Sequence, residues 1–164
     1  MATEAQYEFF KFRYMEGVER YQALIARGQI FLSIVTLYIG ALSFKLSPSG
    51  ASTSALTELQ KPLLKWMYCS VLISLLISLL LIVLALGIYK YHALIDPVRI
   101  IESYGPTPPT DPDFWDARIV NFALVTHKNI PRNNKRAKLL YAATIFLFLA
   151  AIQHVFFFLY SNWR

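Results

Sequence analysis

The chain has 164 residues, of which 56% are hydrophobic and only 16% are charged, and its formal net charge is +6. The charged fraction is well below the roughly 25% of soluble domains, which argues against a soluble enzyme. The single cysteine, Cys69, excludes an intramolecular disulfide.

Residues 4–27 predict an amphipathic helix within the segment 1–28. One face carries aromatic and apolar residues at helical spacing, with a glycine in one position: Tyr7, Phe10, Tyr14, Gly17, Tyr21 and Leu24. The other face carries Glu4, Glu8, Glu16, Glu19 and Arg20. The aromatic face can pack on other helices or lie on a membrane surface, and we favour packing because the polar face is acidic as well as basic. The helix can run on into the next segment or kink at Gly28.

Three apolar runs follow, and each is close to the roughly 20 residues that cross a bilayer. They are Gln29–Leu46, Trp66–Tyr89 and Leu139–Tyr160. The sequence therefore predicts an all-α integral membrane protein with three transmembrane helices in a single membrane domain, residues 1–164. The connecting segments are an outer loop at 47–65, a cytoplasmic helical loop at 90–138 and an outer tail at 161–164.

The distribution of basic residues predicts the orientation in the membrane. Twelve of the sixteen Lys and Arg residues lie in segments 1–28 and 90–138. Because cytoplasmic segments are enriched in Lys and Arg, we expect a multi-pass protein of a cell inner membrane, with the N-terminus cytoplasmic and the C-terminus outside. This topology also explains the basic excess without nucleic acid as a partner.

The loop 90–138 has a predicted helical organisation. The second helix can extend through 89–104, with a kink or restart at Asp96–Pro97, before a break at Gly105–Pro109. Asp111–Pro112 is a helix start, since Asp caps and Pro suits the first helical position. Asn129–Pro131 predicts another break and restart.

Small and weakly polar residues form a stripe on each of the first two predicted spans. They are Ser33, Thr36, Gly40 and Ser43 in the first span, and Ser70, Ser74 and Ser78 in the second. Small residues let helices approach closely, and hydroxyl groups can bond across them, so helix packing is one interpretation. The alternative is that a stripe lines a water-filled path in an oligomer.

Two polar residues, Gln153 and His154, lie within the third predicted span. Such groups usually face protein or a cavity rather than lipid. An interhelical hydrogen bond is one interpretation, and a gate or pH-sensitive constriction is the other.

A basic cluster with a nearby tryptophan precedes the third span. Its members are Trp115, Arg118, His127, Lys128, Arg132, Lys135 and Arg136. Topology and anionic lipid headgroups explain such a cluster. The alternative is a site for an anionic cytosolic ligand such as a nucleotide messenger, with Trp115 or Phe122 stacking on a base. No catalytic motif, metal site or cofactor site is visible, so we expect no enzymatic activity.

Two segments resemble small bacterial SLATT-type membrane effectors of phage-defence and conflict systems. One is the helix that leads into the first span, GVERYQALIARGQIFLSIVTLYIGALSFKL, and the other is HKNIPRNNKRAKLLYAAT at the foot of the last span. Those proteins have two spans and a cytoplasmic helix, whereas this chain predicts three spans. The resemblance implies oligomerisation and membrane permeabilisation, triggered by a partner or messenger, with no catalytic residues.

Three helices are few to enclose a path alone, so we expect a homo-oligomer in the lipid bilayer. The first hypothesis is a pore-forming or membrane-disrupting effector, triggered by a cytosolic protein or nucleotide messenger. The alternative is a non-conducting, membrane-anchored scaffold that recruits a soluble partner.

Overall fold

The computed structural model describes residues 3–46, 62–87, 91–94 and 112–162. Three α-helices contain nearly all of these residues: α1 spans Glu4–Leu46, α2 spans Pro62–Gly87 and α3 spans Pro112–Asn162. No strand occurs within the described ranges. The predicted all-α fold is confirmed there, and all three helices are long and apolar enough to cross a membrane.

Local sequence signals explain where the helices begin. The Thr3 hydroxyl accepts a hydrogen bond from the Gln6 amide at 3.3 Å, while the Gln6 side chain accepts one from the Thr3 amide at 3.0 Å. This reciprocal capping satisfies two amides that the first turn of α1 leaves unpaired. Helices α2 and α3 both begin on proline, whose fixed φ suits the first helical position. The predicted helix start at Pro112 is thus confirmed.

The interiors of α1 and α3 show fewer interruptions than the sequence predicted. Helix α1 is one uninterrupted α-helix through Gly28. The break predicted at Asn129–Pro131 is wrong, because α3 continues through Pro131. Proline removes one backbone hydrogen bond and crowds the preceding turn. Here the buried amides of Asn129 and Asn133 anchor the helix on both sides of it, at His92 and Gly17 respectively.

The segment after α2 also differs from the prediction. Residues 91–94 are not helical, so the expected helical extension is wrong there. The Asn129 side chain accepts a hydrogen bond from the His92 amide at 3.0 Å and donates one to the His92 carbonyl at 2.9 Å. These bonds replace those that a helix would have given His92. The predictions for 47–61, Asp96–Pro97 and Gly105–Pro109 lie outside the described residues.

The chain forms two compact units. The first, Met1–Leu24 with Tyr89–Lys135, is termed the aromatic unit. Its Tyr7 ring contacts the rings of Trp115 and Phe122, with centroid distances of 4.8 and 5.7 Å. The Tyr21 and Tyr91 rings lie 4.5 Å apart. The aromatic face of the N-terminal helix therefore packs against protein within this unit, as the sequence favoured.

The second unit, Ile25–Ile88 with Arg136–Arg164, is termed the apolar unit. Its centre is a buried cluster drawn from all three helices: Leu42, Val71, Leu75 and Ala150. The outer surface is apolar as well, with Leu37 75% and Phe148 68% exposed. An apolar interior together with an apolar exterior is what a lipid-facing bundle requires, because lipid and core are equally apolar.

Candidate functional site

The serines of α2 face the interior of the apolar unit. Ser78 is fully buried, and its hydroxyl donates to the Ala143 carbonyl at 2.9 Å. The Ser74 hydroxyl donates to the Gln153 side-chain oxygen at 3.2 Å. Ser70 donates to the Met67 carbonyl of its own helix at 2.7 Å. Ser74 and Ser78 thus join α2 to α3.

The second polar residue of the third predicted span contacts α1. The Tyr38 hydroxyl shares a hydrogen bond with Nδ1 of His154, and the two rings are nearly parallel with centroids 5.4 Å apart. Gln153 and His154 therefore both make interhelical contacts.

The small-residue stripe of α1 has a different environment. Ser33, Thr36, Gly40 and Ser43 are all exposed, whereas Val35 and Leu42 of the same helix are buried. The three hydroxyls donate to carbonyls of their own helix, at Gln29, Leu32 and Ile39. These bonds satisfy the donors and leave oxygen lone pairs on the outer surface. Nothing among the described residues lies within 4 Å of a Cβ placed on Gly40.

Arg136 lies in the interior rather than on a basic surface. It is 1% exposed, and its Nε donates to the Ala85 carbonyl at 2.8 Å. Ala85 belongs to the last turn of α2, where carbonyls lack partners within the helix and the dipole favours a cation. Arg136 therefore caps α2, and it is not available on the surface that the basic cluster was predicted to form.

The other members of the predicted basic cluster lie in different environments. Lys128 and Lys135 are exposed, Arg132 is half-buried, and the Arg118 guanidinium lies over the Phe122 ring at 5.7 Å. Trp115 packs on Tyr7, so its stacking surface is partly used.

Two residues of the basic cluster affect the pKa of His92. Burial lowers the pKa of the His92 imidazole, and Arg132 and Lys128 lower it further by repelling the charged form.

A groove of about 500 Å³ lies between α1 and α3 within the aromatic unit. It is lined by the exposed ring of Phe9, the half-buried ring of Phe10 and, among its polar groups, Arg20 and His127. Gly17 lines it too. Of the predicted anionic-ligand residues, His127 alone belongs to the described lining.

Two polar atoms in the groove lining are buried and have no partner among the described residues. They are Oγ1 of Thr126 and Oδ1 of Asn133. The Asn133 amide is otherwise well held, since its Nδ2 donates to the Gly17 carbonyl at 3.2 Å. Buried polar atoms usually have partners, so these two are exceptions, and neither is accessible from the groove.

Sequence analysis did not predict this groove. Phe9 and Arg20 lie on α1 outside the predicted apolar face, and Thr126 was not recognised as a polar position. The spacing on α3 did indicate that Asn129 and Asn133 lie on a buried face, because they continue the three- and four-residue spacing of the buried residues Phe122 and Val125.

Comparison with known proteins adds no relative: no family model, no curated protein and no solved structure matches this chain with significance. Functional inference therefore rests on the residues and contacts described above.

Proposed function

We propose that this chain is a homo-oligomeric effector of the bacterial inner membrane, whose copies together form a path through the bilayer or disrupt it. The supporting observation is the exposed stripe of hydroxyl residues on α1. The N-terminus lies on the cytoplasmic side in this proposal, as the distribution of Lys and Arg indicates.

In this proposal the path runs between copies, because the interior of the apolar unit is filled. A path through one copy would have to pass along the serines of α2, but Ser74 and Ser78 are bonded to α3. Large side chains such as Leu75 and Ile82 fill the same interior and are fully buried. Only the α1 stripe, among the predicted stripes, presents hydroxyl oxygens outward, where a second copy or water can meet them.

The test separates a lined path from simple helix packing by using isosteric side chains. One variant carries Thr at all three hydroxyl positions of the α1 stripe (Ser33→Thr and Ser43→Thr, with Thr36 unchanged). The other carries Val at the same positions (Ser33→Val, Thr36→Val and Ser43→Val). Thr and Val have nearly the same shape, so the two proteins differ only in the hydroxyl groups.

Membrane potential and dye entry are followed in bacteria during induced expression. We expect depolarisation by the parent and the Thr variant, and loss of depolarisation in the Val variant. Equal activity of both variants would refute a hydroxyl-lined path. Equal loss in both would indicate a contact that depends on side-chain size instead.

Association between copies is tested separately by disulfide crosslinking in membranes, in a Cys69→Ala background. Gly40→Cys places a thiol within the stripe, whereas Ile34→Cys places one on another exposed part of α1. The proposal expects dimers with Gly40→Cys and few with Ile34→Cys. A monomeric protein with both variants would contradict it.

The second candidate function is a non-conducting scaffold that recruits a soluble partner. It is favoured by exposed apolar side chains in the aromatic unit, of which Phe12 is 67% and Val120 62% exposed. Exposed apolar surface outside a membrane commonly marks interaction sites. A scaffold would leave the membrane potential intact in the parent and in both stripe variants. It would lose partner binding on Phe12→Ser.

The resemblance to SLATT-type effectors suggests the biological setting of such a path, a bacterial defence or conflict system. In that setting a cytosolic protein or messenger would act on the aromatic unit, and the apolar unit would respond.

A further inference from the structure

Where α1 and α3 approach each other in the apolar unit, each helix exposes one polar residue. A Cβ placed on Gly28 of α1 would lie 3.5 Å from Cδ2 of Leu140 of α3, so these two residues face each other. Arg27 and Tyr141 are their neighbours in the chain, and both are exposed, Tyr141 by 71%. Arg27 and Tyr141 therefore lie at the same level of the bundle.

Arg27 lies on the edge of α1 that borders α3. It precedes Tyr38 by eleven positions, which is about three helical turns, so the two residues are on the same side of α1. The Tyr38 hydroxyl shares a hydrogen bond with His154 of α3. The Arg27 guanidinium is thus at the rim of the groove between α1 and α3.

Tyr141 lies on the side of α3 that α2 leaves open. The side of α3 that faces α2 is marked by Arg136 and Ala143, which are both hydrogen-bonded to that helix. At about 100° per residue, Tyr141 is about 140–160° around α3 from these two residues. The Tyr141 hydroxyl is therefore available on the same open groove as Arg27.

A second cation lies beside this pair, and carboxylates are lacking. Lys138 is exposed and precedes Tyr141 by three positions, so the two are neighbours on the surface of α3. The apolar unit contains one acidic residue, Glu58, which belongs to the predicted outer loop and lies outside the described residues. Neither Arg27 nor Lys138 takes part in an ion pair among the described residues. These two positive charges are complementary to an anion from outside the unit.

The next part of the same groove is apolar. Ile34 and Phe148 follow Arg27 and Tyr141 by seven positions each, which is two helical turns or about 10 Å along the same side of each helix. They are 44% and 68% exposed. A ligand that fits this groove therefore has an anionic end and a hydrocarbon end.

We propose that this groove binds one phospholipid with an anionic headgroup, from the cytoplasmic leaflet of the membrane. The phosphate accepts hydrogen bonds from the Arg27 guanidinium, whose planar fork suits phosphate, and from the Tyr141 hydroxyl. One acyl chain lies along Ile34 and Phe148. Basic pockets between transmembrane helices on the cytoplasmic side suit such headgroups.

Lys138 gives the site its preference for a net negative headgroup. Every phospholipid carries a phosphate, but phosphatidylethanolamine also carries an ammonium group, which would meet Lys138 with like charge. Phosphatidylglycerol has no such group. The proposal requires a bilayer around the apolar unit, as the proposed function does, but it needs neither a path nor a second copy. Lipid binding and conduction can therefore fail separately.

The experiment is native mass spectrometry of the full-length protein in mild detergent, titrated with one lipid at a time. Phosphatidylglycerol and phosphatidylethanolamine with the same acyl chains are compared. Phosphatidylglycerol should bind more tightly by about fivefold or more, since each basic residue near a membrane surface contributes about this factor. Equal affinity for the two lipids would overturn the proposal.

Glycerol 3-phosphate separates a lipid site from a site for a soluble anion. It carries the phosphate but no acyl chain, so it should bind at least about tenfold more weakly than phosphatidylglycerol. Binding as tight as that of the lipid would overturn the assignment to a phospholipid.

The two cations are tested by Arg27→Gln and Lys138→Gln. Each should lower the affinity for phosphatidylglycerol by about fivefold and reduce the ratio between the two lipids. Both positions are exposed, so the melting temperature without lipid should not change. Lys65→Gln is the matched control, because Lys65 is an exposed cation in the first turn of α2, away from this groove. Equal weakening by all three variants would indicate general attraction of anions and would overturn the site.

Tyr141→Phe tests the contact with the phosphate, because it removes only the hydroxyl group. Both lipids carry the phosphate, so both should lose affinity by the same factor of about two to ten, and the ratio between them should stay as it was. Unchanged binding of both lipids would show that Tyr141 does not contact the headgroup and would overturn the proposed geometry.

Discussion

Gly28→Ala should destabilise the apolar unit through a contact with one leucine. A Cβ at this position would lie 2.6 Å from Cδ2 and 3.1 Å from Cγ of Leu86, but 3.5 Å from Cδ2 of Leu140. Carbon atoms pack best at about 3.5–4.0 Å. Leu140 can therefore stay in place, whereas Leu86 must change its rotamer or move away.

The expected magnitude is the difference between two opposing effects. Forcing one extra methyl group into a packed interior costs about 1–3 kcal/mol. Replacing Gly by Ala inside a helix gains about 1 kcal/mol. Gly28→Ala should thus lower the free energy of unfolding by about 0–2 kcal/mol, given these two values. Gly40→Ala, measured in micelles that each hold one copy of the chain, is the matched control, because its Cβ would contact none of the described atoms. It should gain only the roughly 1 kcal/mol by which Ala is favoured over Gly in a helix.

Unfolding of purified protein is measured by circular dichroism while a denaturing detergent is titrated into mild micelles. Leu86→Ala provides the decisive background, since it removes the side chain that the new methyl group would meet. In that background Gly28→Ala should become neutral or stabilising, with a coupling energy of about 1–3 kcal/mol between the two sites. The same effect of Gly28→Ala in both backgrounds would refute the reasoning.

Three further predictions concern other positions. Ser78→Ala should lower the free energy of unfolding by about 0.6 kcal/mol, the mean for interhelical hydrogen bonds in a membrane. Ser70→Ala should change it little, because Ser70 bonds within its own helix, and equal effects of the two variants in the same detergent titration would contradict this. Asn129→Ala leaves both backbone groups of His92 without their partner, and each unpaired buried group costs about 1–3 kcal/mol. The structure around His92 should therefore open, and faster amide hydrogen exchange at His92 would reveal this. Pro131→Ala should raise the free energy of unfolding, by up to about 3 kcal/mol, because it restores a helical amide at an exposed position; a loss of helix by circular dichroism would show that the proline is required.

The three long apolar helices and the start of α3 at Pro112 were predictable because they depend on neighbouring residues only, whereas α2 begins at Pro62, within the predicted outer loop 47–65. An uninterrupted apolar run such as that of α2 needs no tertiary information to be recognised, and a proline at the first helical position is an equally local signal. The aromatic face at Tyr7 and Tyr21 was predictable for the same reason, since helical spacing alone places those residues on one side.

The continuity of α3 was not predictable from local signals. Pro131 normally ends or kinks a helix, and the bonds that compensate for it come from residues far away in sequence, at Gly17 and His92. Those partners are visible only in the folded chain. The spacing of Asn129 and Asn133 did indicate a buried face, but polar side chains are ordinarily assigned to a surface.

For the candidate sites too, helical faces could be predicted from the sequence, but contacts between helices could not. Spacing placed each group of small residues on one face of a helix, but it could not show that Ser78 faces α3 while Ser33 faces outward. Arg136 looked like part of a basic surface because its partner, the Ala85 carbonyl, is a backbone atom at the end of another helix. A glycine such as Gly28 gave no indication of its role, because close approach depends on which side chain lies opposite.

The polar contacts between α2 and α3 have a mechanical consequence. Two hydrogen bonds join the antiparallel helices: Ser78 of α2 bonds to Ala143 of α3, and Arg136 of α3 bonds to Ala85 of α2. The two bonds are seven positions apart on each helix, which is about 10 Å of axial length. If either helix slid along the other by one turn, about 5.4 Å, both donors would leave their carbonyls at the same moment. Axial sliding within this pair therefore breaks both bonds together. Both bonds thus oppose a piston-like stroke of α3 along α2, whereas rotation or tilting of α1 leaves them intact.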